Sequence, residues 1–143
     1  MPKVQADGLP LPLRYGAILT IVIGISMAVL DGAIANVALP TIATDLHATP
    51  ASSIWVVNAY QIAIVISLLS FSFLGDMFGY RRIYKCGLVV FLLSSLFCAL
   101  SDSLQMLTLA RVIQGFGGAA LMSVNTALIR LIYPQRFLGR GMG

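Results

Sequence analysis

The fold class this sequence predicts is all-α, a polytopic membrane protein of four transmembrane helices, and three observations carry the prediction. Of its 143 residues, 59% are hydrophobic and 10% charged, with a mean hydropathy of +0.94, a balance far too apolar for a soluble domain of this length. Four stretches, at about 15–39, 54–74, 83–100 and 105–132, are long enough to cross a hydrocarbon core of about 30 Å as helices. Apart from Arg111, inside the fourth, the basic residues also keep to one side of these stretches. Lys3 and Arg14 precede the first, Arg81, Arg82 and Lys85 lie between or just inside the second and third, and Arg130, Arg136 and Arg140 follow the fourth. The other two connections, about 40–53 and 101–104, hold Asp45, His47 and Asp102 but no Lys or Arg. This asymmetry predicts a cell-membrane protein of the inner, cytoplasmic membrane with both ends cytoplasmic.

Residues 1–14 read as a cytoplasmic N-terminal segment. The stretch that follows imitates a secretory signal, since Lys3 and Arg14 precede an apolar run and Ala33-Ile34-Ala35 resembles a cleavage site. Against that reading, the run continues to Pro40, carries Asp31 inside it and is followed by three more spans. Along this first helix Gly24, Ala28, Asp31, Ala35 and Ala38 recur at intervals of four and three. They form a narrow face of small residues around one acid. Small residues mark helix contacts in lipid, so Asp31 points into protein or a watery cavity.

The second helix opens with Trp55 at the expected outer interface, and Asn58, Tyr60 and Gln61 follow within two turns. Asn58 and Gln61 either hydrogen-bond neighbouring helices or line a cavity for a transported molecule. The third helix, apart from its serines and Cys98, is plain, and is expected at the lipid-facing periphery. Cys86 and Cys98 lie near its opposite ends, about 18 Å apart, too far to bridge. On the fourth helix Arg111, Gln114, Gly115, Gly118, Met122 and Asn125 follow helical spacing along one face. Asp31 lies about 13 Å before Pro40 along its helix, and Arg111 about 12 Å beyond Ser103. At nearly equal depth, the two are expected to face each other or share a cavity. A charge in mid-membrane costs about 2.5–3.5 kcal/mol on insertion scales, so its default reading is functional; the plainer alternative is an ion pair that only fixes the first helix against the fourth.

Enzyme chemistry has nothing to stand on. No metal-ligand cluster, phosphate-cradling glycine loop or nucleophile with a base is evident, glutamate is absent, and no catalytic or metal-binding residue is predicted. The net charge of +4 comes without a basic run interleaved with aromatics, so nucleic acid is not an expected partner. The partner that composition implies is the bilayer.

Three separated stretches carry a family resemblance. Leu30-Asp31-Gly32-Ala33-Ile34-Ala35-Asn36-Val37-Ala38-Leu39-Pro40 resembles the helix-one signature LDxTxxNVALP, with Ala33 where a threonine is usual. Leu74-Gly75-Asp76-Met77-Phe78-Gly79-Tyr80-Arg81-Arg82 resembles the loop pattern GxLaDrxGRk, departing from it at Ser72, Met77 and Tyr80. Leu107 to Ala120, with Arg111, Gln114, Gly115 and Gly118, matches the helix-four pattern LxxxRxxQGxGaa almost throughout. Together they resemble the N-terminal part of a major facilitator superfamily carrier, specifically its fourteen-helix multidrug:proton antiporter branch.

The resemblance implies an N-terminal six-helix bundle of which helices one to four are present, with 134–143 as the start of the loop before a fifth helix. It implies Asp31 and Arg111 as proton and substrate coupling residues; Asn58, Tyr60, Gln61, Gln114 and Asn125 are the cavity-lining candidates that their polarity and helix positions suggest. Gly115 and Gly118, small residues at helical spacing, are expected to pack helices, and the resemblance implies a conformational latch at Gly75, Asp76, Gly79, Arg81 and Arg82. There Asp76 is expected to contact Arg81 and Arg82 across a turn that needs Gly79. The implied activity is export of lipophilic or cationic compounds, driven by a proton gradient and without a cofactor. Two alternatives stay open: a carrier for a specific metabolite, and a small non-transporting four-helix membrane protein with a structural role.

Overall fold

A computed structural model describes residues 10–45 and 48–132 of the chain. It contains four α-helices in chain order: α1 (Leu11–Asp45), α2 (Pro50–Phe78), α3 (Tyr80–Ala99) and α4 (Leu104–Ile132). All four are long and apolar enough to cross a membrane, over Pro12–Ala38, Ala51–Phe78, Tyr80–Ala99 and Leu104–Ile129. Residue 133, the segment 134–143, His47 and Lys3 lie outside the described residues.

The helix ends differ from the sequence expectation for physical reasons. α1 runs through Pro40 to Asp45 instead of stopping at 39. Pro40 has no N–H to give the turn before it, but a single missing bond does not end a helix whose other residues still close theirs. Thr44 Oγ1 donates to the Thr41 carbonyl at 2.7 Å, and the Ala48 N–H reaches Ala43 O at 2.8 Å. α2 starts at Pro50, ahead of the apolar run, because Thr49 caps it: its Oγ1 accepts from the Ser52 N–H at 3.2 Å, and proline suits the first turn. α4 starts behind Ser103, whose Oγ accepts from the Met106 N–H at 3.3 Å.

The loop between α2 and α3 shrinks to one residue. Gly79 has φ +94°, a conformation that side-chain-bearing residues rarely adopt, and helix resumes at Tyr80. Arg81 and Arg82 therefore stand in the first turn of α3, exposed. The expected contact of Asp76 with these arginines is not made. The Tyr80 hydroxyl, standing where the pattern has an arginine, donates to Asp76 Oδ1 instead. Gly75, buried one turn earlier, lies against the Tyr80 ring and Val124 of α4.

α4 is the central helix. It packs along both α2 and α3, while α1 touches α2 and α4 more sparsely and leaves Val29, Leu30, Ile34 and Val37 exposed. The short glycine run of α4 serves two neighbours at once. A Cβ on Gly115 would lie 2.7 Å from Tyr60 O and Ala63 Cβ of α2, and one on Gly117 would lie 2.7 Å from Phe91 N of α3. Glycine permits these backbone approaches, which is how helices pack tightly where lipid offers no hydrophobic drive. Gly115 and Gly118 thus pack against α2 rather than continuing the polar stripe, and Met122, expected on that stripe, is exposed.

α3 is also less peripheral than expected. Val89, Leu92, Leu93, Leu96 and Phe97 are exposed, but Tyr84, Gly87, Phe91 and Ser94 are buried. The Tyr84 hydroxyl donates to the Thr20 carbonyl of α1 at 2.8 Å, tying the first helix to the third.

Candidate functional site

On α1 the small-residue face is the buried one. Ile21, Gly24, Ala28 and Ala35 are covered, and Asp31 occupies the same stripe. On α4 Arg111 and Gln114, three residues apart, point the same way. The structure brings them together: Arg111 Nη1 donates to Asp31 Oδ2 at 2.6 Å and to Gln114 Oε1 at 3.0 Å. The Arg111 and Asp31 side chains keep 8% and 19% of their surface exposed, so the pair is largely removed from solvent.

Gln114, fully buried, is the hub of the arrangement. Its Nε2 donates to Asp31 Oδ1 at 2.9 Å and to Ser95 Oγ of α3 at 2.7 Å. Its Oε1 accepts from Arg111 and lies 3.7 Å from Cys98 Sγ. Ser95 Oγ in turn donates to the Phe91 carbonyl at 2.9 Å. Both carboxylate oxygens of Asp31 are thus engaged by α4, and one amide links three helices. These bonds to both Asp31 oxygens offset part of the desolvation cost of a buried ion pair, while Arg111 Nε has no hydrogen-bond partner among the described residues.

Sequence reasoning missed Ser95 and gave Cys98 only a packing role. Their signal was two small polar side chains three residues apart on one face of an apolar helix. Both cysteines are free.

The other candidates divide. Tyr60 is buried, with its ring centroid 5.9 Å from the Arg111 guanidinium carbon. Asn125 is half-buried, and its Oδ1 has no hydrogen-bond partner among the described residues. Asn58 and Gln61 are exposed on α2 and make no hydrogen bond to the other described helices. A cavity of about 610 Å³ opens elsewhere, between the arginine-rich ends of α1, α3 and α4, and is lined by Gly16, Thr20, Arg81, Tyr84 and Lys85 rather than by Asp31.

An inward acid on the first helix, paired with an arginine on a glycine-rich fourth helix, is the arrangement that the sequence motifs imply. Residues 21–143 match the family model of the Major Facilitator Superfamily. The chain belongs to this superfamily. It is 99% identical over all 143 residues to the uncharacterized transporter YebQ of Escherichia coli strain K12, covering 31% of that protein. It is 34% identical over 91% of its length to the riboflavin transporter RibZ of Clostridioides difficile strain 630, covering 28% of it. A putative multidrug resistance protein, MdtD of Salmonella paratyphi B, is 39% identical over 80% of the chain, which covers 24% of that relative. The chain thus spans between about a quarter and a third of the length of these relatives. As a Major Facilitator Superfamily chain with four spanning-length helices it is a multi-pass membrane protein of transporter type and not an enzyme.

Proposed function

We propose that this chain forms part of the N-terminal bundle of a proton-coupled antiporter that exports lipophilic or cationic compounds across the inner membrane, with the arginine-rich ends of its helices cytoplasmic. The observation that carries the reading is the buried Asp31–Arg111 pair, closed by Gln114 and still partly open at the carboxylate. A carboxylate in a desolvated site needs a compensating positive charge. Arg111 supplies it in the arrangement seen. When the helices rock and Arg111 withdraws, a proton or a cationic substrate replaces it, and the two compete for one site. Such differential affinity between two arrangements is what coupling requires. The relative named as a multidrug resistance protein supports this substrate range.

The test uses everted membrane vesicles containing the full-length Escherichia coli relative with this sequence over the matched 143 residues. Ethidium is expected to accumulate when the lumen is acid, and to leave when nigericin collapses the pH gradient. Accumulation indifferent to nigericin would contradict proton coupling. A second reading, a carrier for a specific metabolite, is favoured by the relative named as a riboflavin transporter. Under that reading riboflavin is taken up and ethidium is not.

A further inference from the structure

We propose that the cavity between the arginine-rich ends of α1, α3 and α4 is a binding site for an anionic phospholipid, with the phosphate held by Arg81 and Lys85 and an acyl chain seated among the apolar residues. The inference goes beyond the transport reading and does not depend on proton coupling.

The cavity follows from the residues at three helix ends. On α1, Gly16 and Thr20 stand one turn apart where larger apolar residues would narrow the gap, and a Cβ on Gly16 would meet nothing within 4 Å. On α3, the Tyr84 hydroxyl lies against Gly24 and donates to the Thr20 carbonyl at 2.8 Å, so the two helices meet there. From that contact toward the basic ends lies a space of about 610 Å³, which Leu128 and Ile132 of α4 also line. It extends along α1 from Pro12 to Ile21, about 13 Å.

Its lining combines two chemistries. Leu13, Ala17, Ile21, Leu128 and Ile132 are apolar. Arg81 and Lys85, one turn apart on α3, add two exposed cations. Among the described residues no acid lines the cavity, and neither cation forms an ion pair. Asp76, the acid in the last turns of α2, is engaged by the Tyr80 hydroxyl. Arg14 and Arg82 raise the positive charge of this end without lining the cavity.

Charge and shape together select the occupant. A free anion would use the cations and leave the apolar lining to water, whereas a phospholipid uses both. Basic pockets between transmembrane helices take anionic headgroups in this way. A further spanning helix is a poor match. With a diameter of about 10–12 Å and about 5.4 Å per turn, it would fit little more than one turn into this volume, and it would cover two cations that no described acid neutralises. A bound lipid would also brace α1, which touches α2 and α4 sparsely.

Native mass spectrometry of the same full-length carrier in detergent tests this, with palmitoyl-oleoyl phosphatidylglycerol as the probe and phosphatidylcholine of the same chains beside it. The native carrier is expected to retain the anionic lipid in preference. Arg81→Gln combined with Lys85→Gln is expected to need about tenfold more phosphatidylglycerol for the same retention. Arg82→Gln, outside the cavity, is expected to match the native carrier. Gly16→Phe fills the space without a clash at its Cβ, and is expected to lose the same bound lipid although both cations remain. Phosphatidylglycerol retention unchanged in the double variant, or lowered as much by Arg82→Gln, would overturn the proposal. Retention unchanged in Gly16→Phe would overturn it too, by leaving only attraction at the surface. Glycerol 3-phosphate, the headgroup chemistry without chains, is expected not to displace the lipid; displacement would assign the site to a free phosphate compound instead. Thermal unfolding of each variant is read alongside, and a double variant that loses stability at unchanged lipid retention would give the cations to another part of the carrier and refute the lipid site.

Discussion

Arg111→Met is expected to destabilise the full-length carrier by about 3–5 kcal/mol. The substitution leaves the Asp31 carboxylate with the Gln114 amide as its remaining partner in a site where most of its surface is covered. Asp31→Asn is expected to cost a similar amount, because it leaves the buried Arg111 charge without its counter-charge. The double variant should be more stable than either single one, since no uncompensated charge remains. Transport should be lost in all three. Thermal unfolding in detergent reads the effect, and a double variant that loses the sum of the two single losses would contradict a paired site.

Gly117→Ala is expected to be nearly as damaging, although it adds one carbon. That carbon would lie 2.7 Å from Phe91 N, 2.9 Å from Phe91 Cα and 3.0 Å from Gly87 O, all backbone atoms of α3 that no rotamer change can move. The helices must separate by several tenths of an ångström, at an overpacking cost of about 1–3 kcal/mol. Ser95, one turn beyond Phe91, is then drawn away from Gln114, so the charge network loosens together with the packing. Gly118→Ala, one residue on, supplies the comparison. Its new carbon would meet the Tyr60 hydroxyl at 3.2 Å and the Ile64 side chain at 3.5 Å, groups that can yield. It should keep most of the native folded yield by size-exclusion chromatography, whereas Gly117→Ala should lose most of it. Equal yields would contradict the close seating of α3 on α4.

The contrast between neighbouring glycines marks what a sequence can and cannot disclose here. Helix number and type were legible because a bilayer demands long apolar runs, and few other folds leave that trace. The opposition of Asp31 and Arg111 was legible too, since helical rise and the one-sided basic residues put both at one depth. The α1 terminus was not, because Pro40 removes one hydrogen bond and the chain still closes the turns that follow. Nor was the partner of Asp76. Charge favoured Arg81 and Arg82, but compressing the loop to Gly79 alone brings the residue four positions on, Tyr80, over the carboxylate. Ser95 stayed hidden because a serine in an apolar helix usually bonds its own backbone, and this one also does so while it accepts from Gln114.

The most direct test of the central claim, that Asp31 is a site shared by proton and substrate, is proton release. The purified full-length carrier in weakly buffered detergent solution would be mixed with a lipophilic cation at fixed pH, beside its Asp31→Asn variant folded to the same extent. The account predicts release on binding in the native protein and none in the variant. Equal release from both would contradict it and leave the Asp31–Arg111 pair as a structural lock between the first and fourth helices.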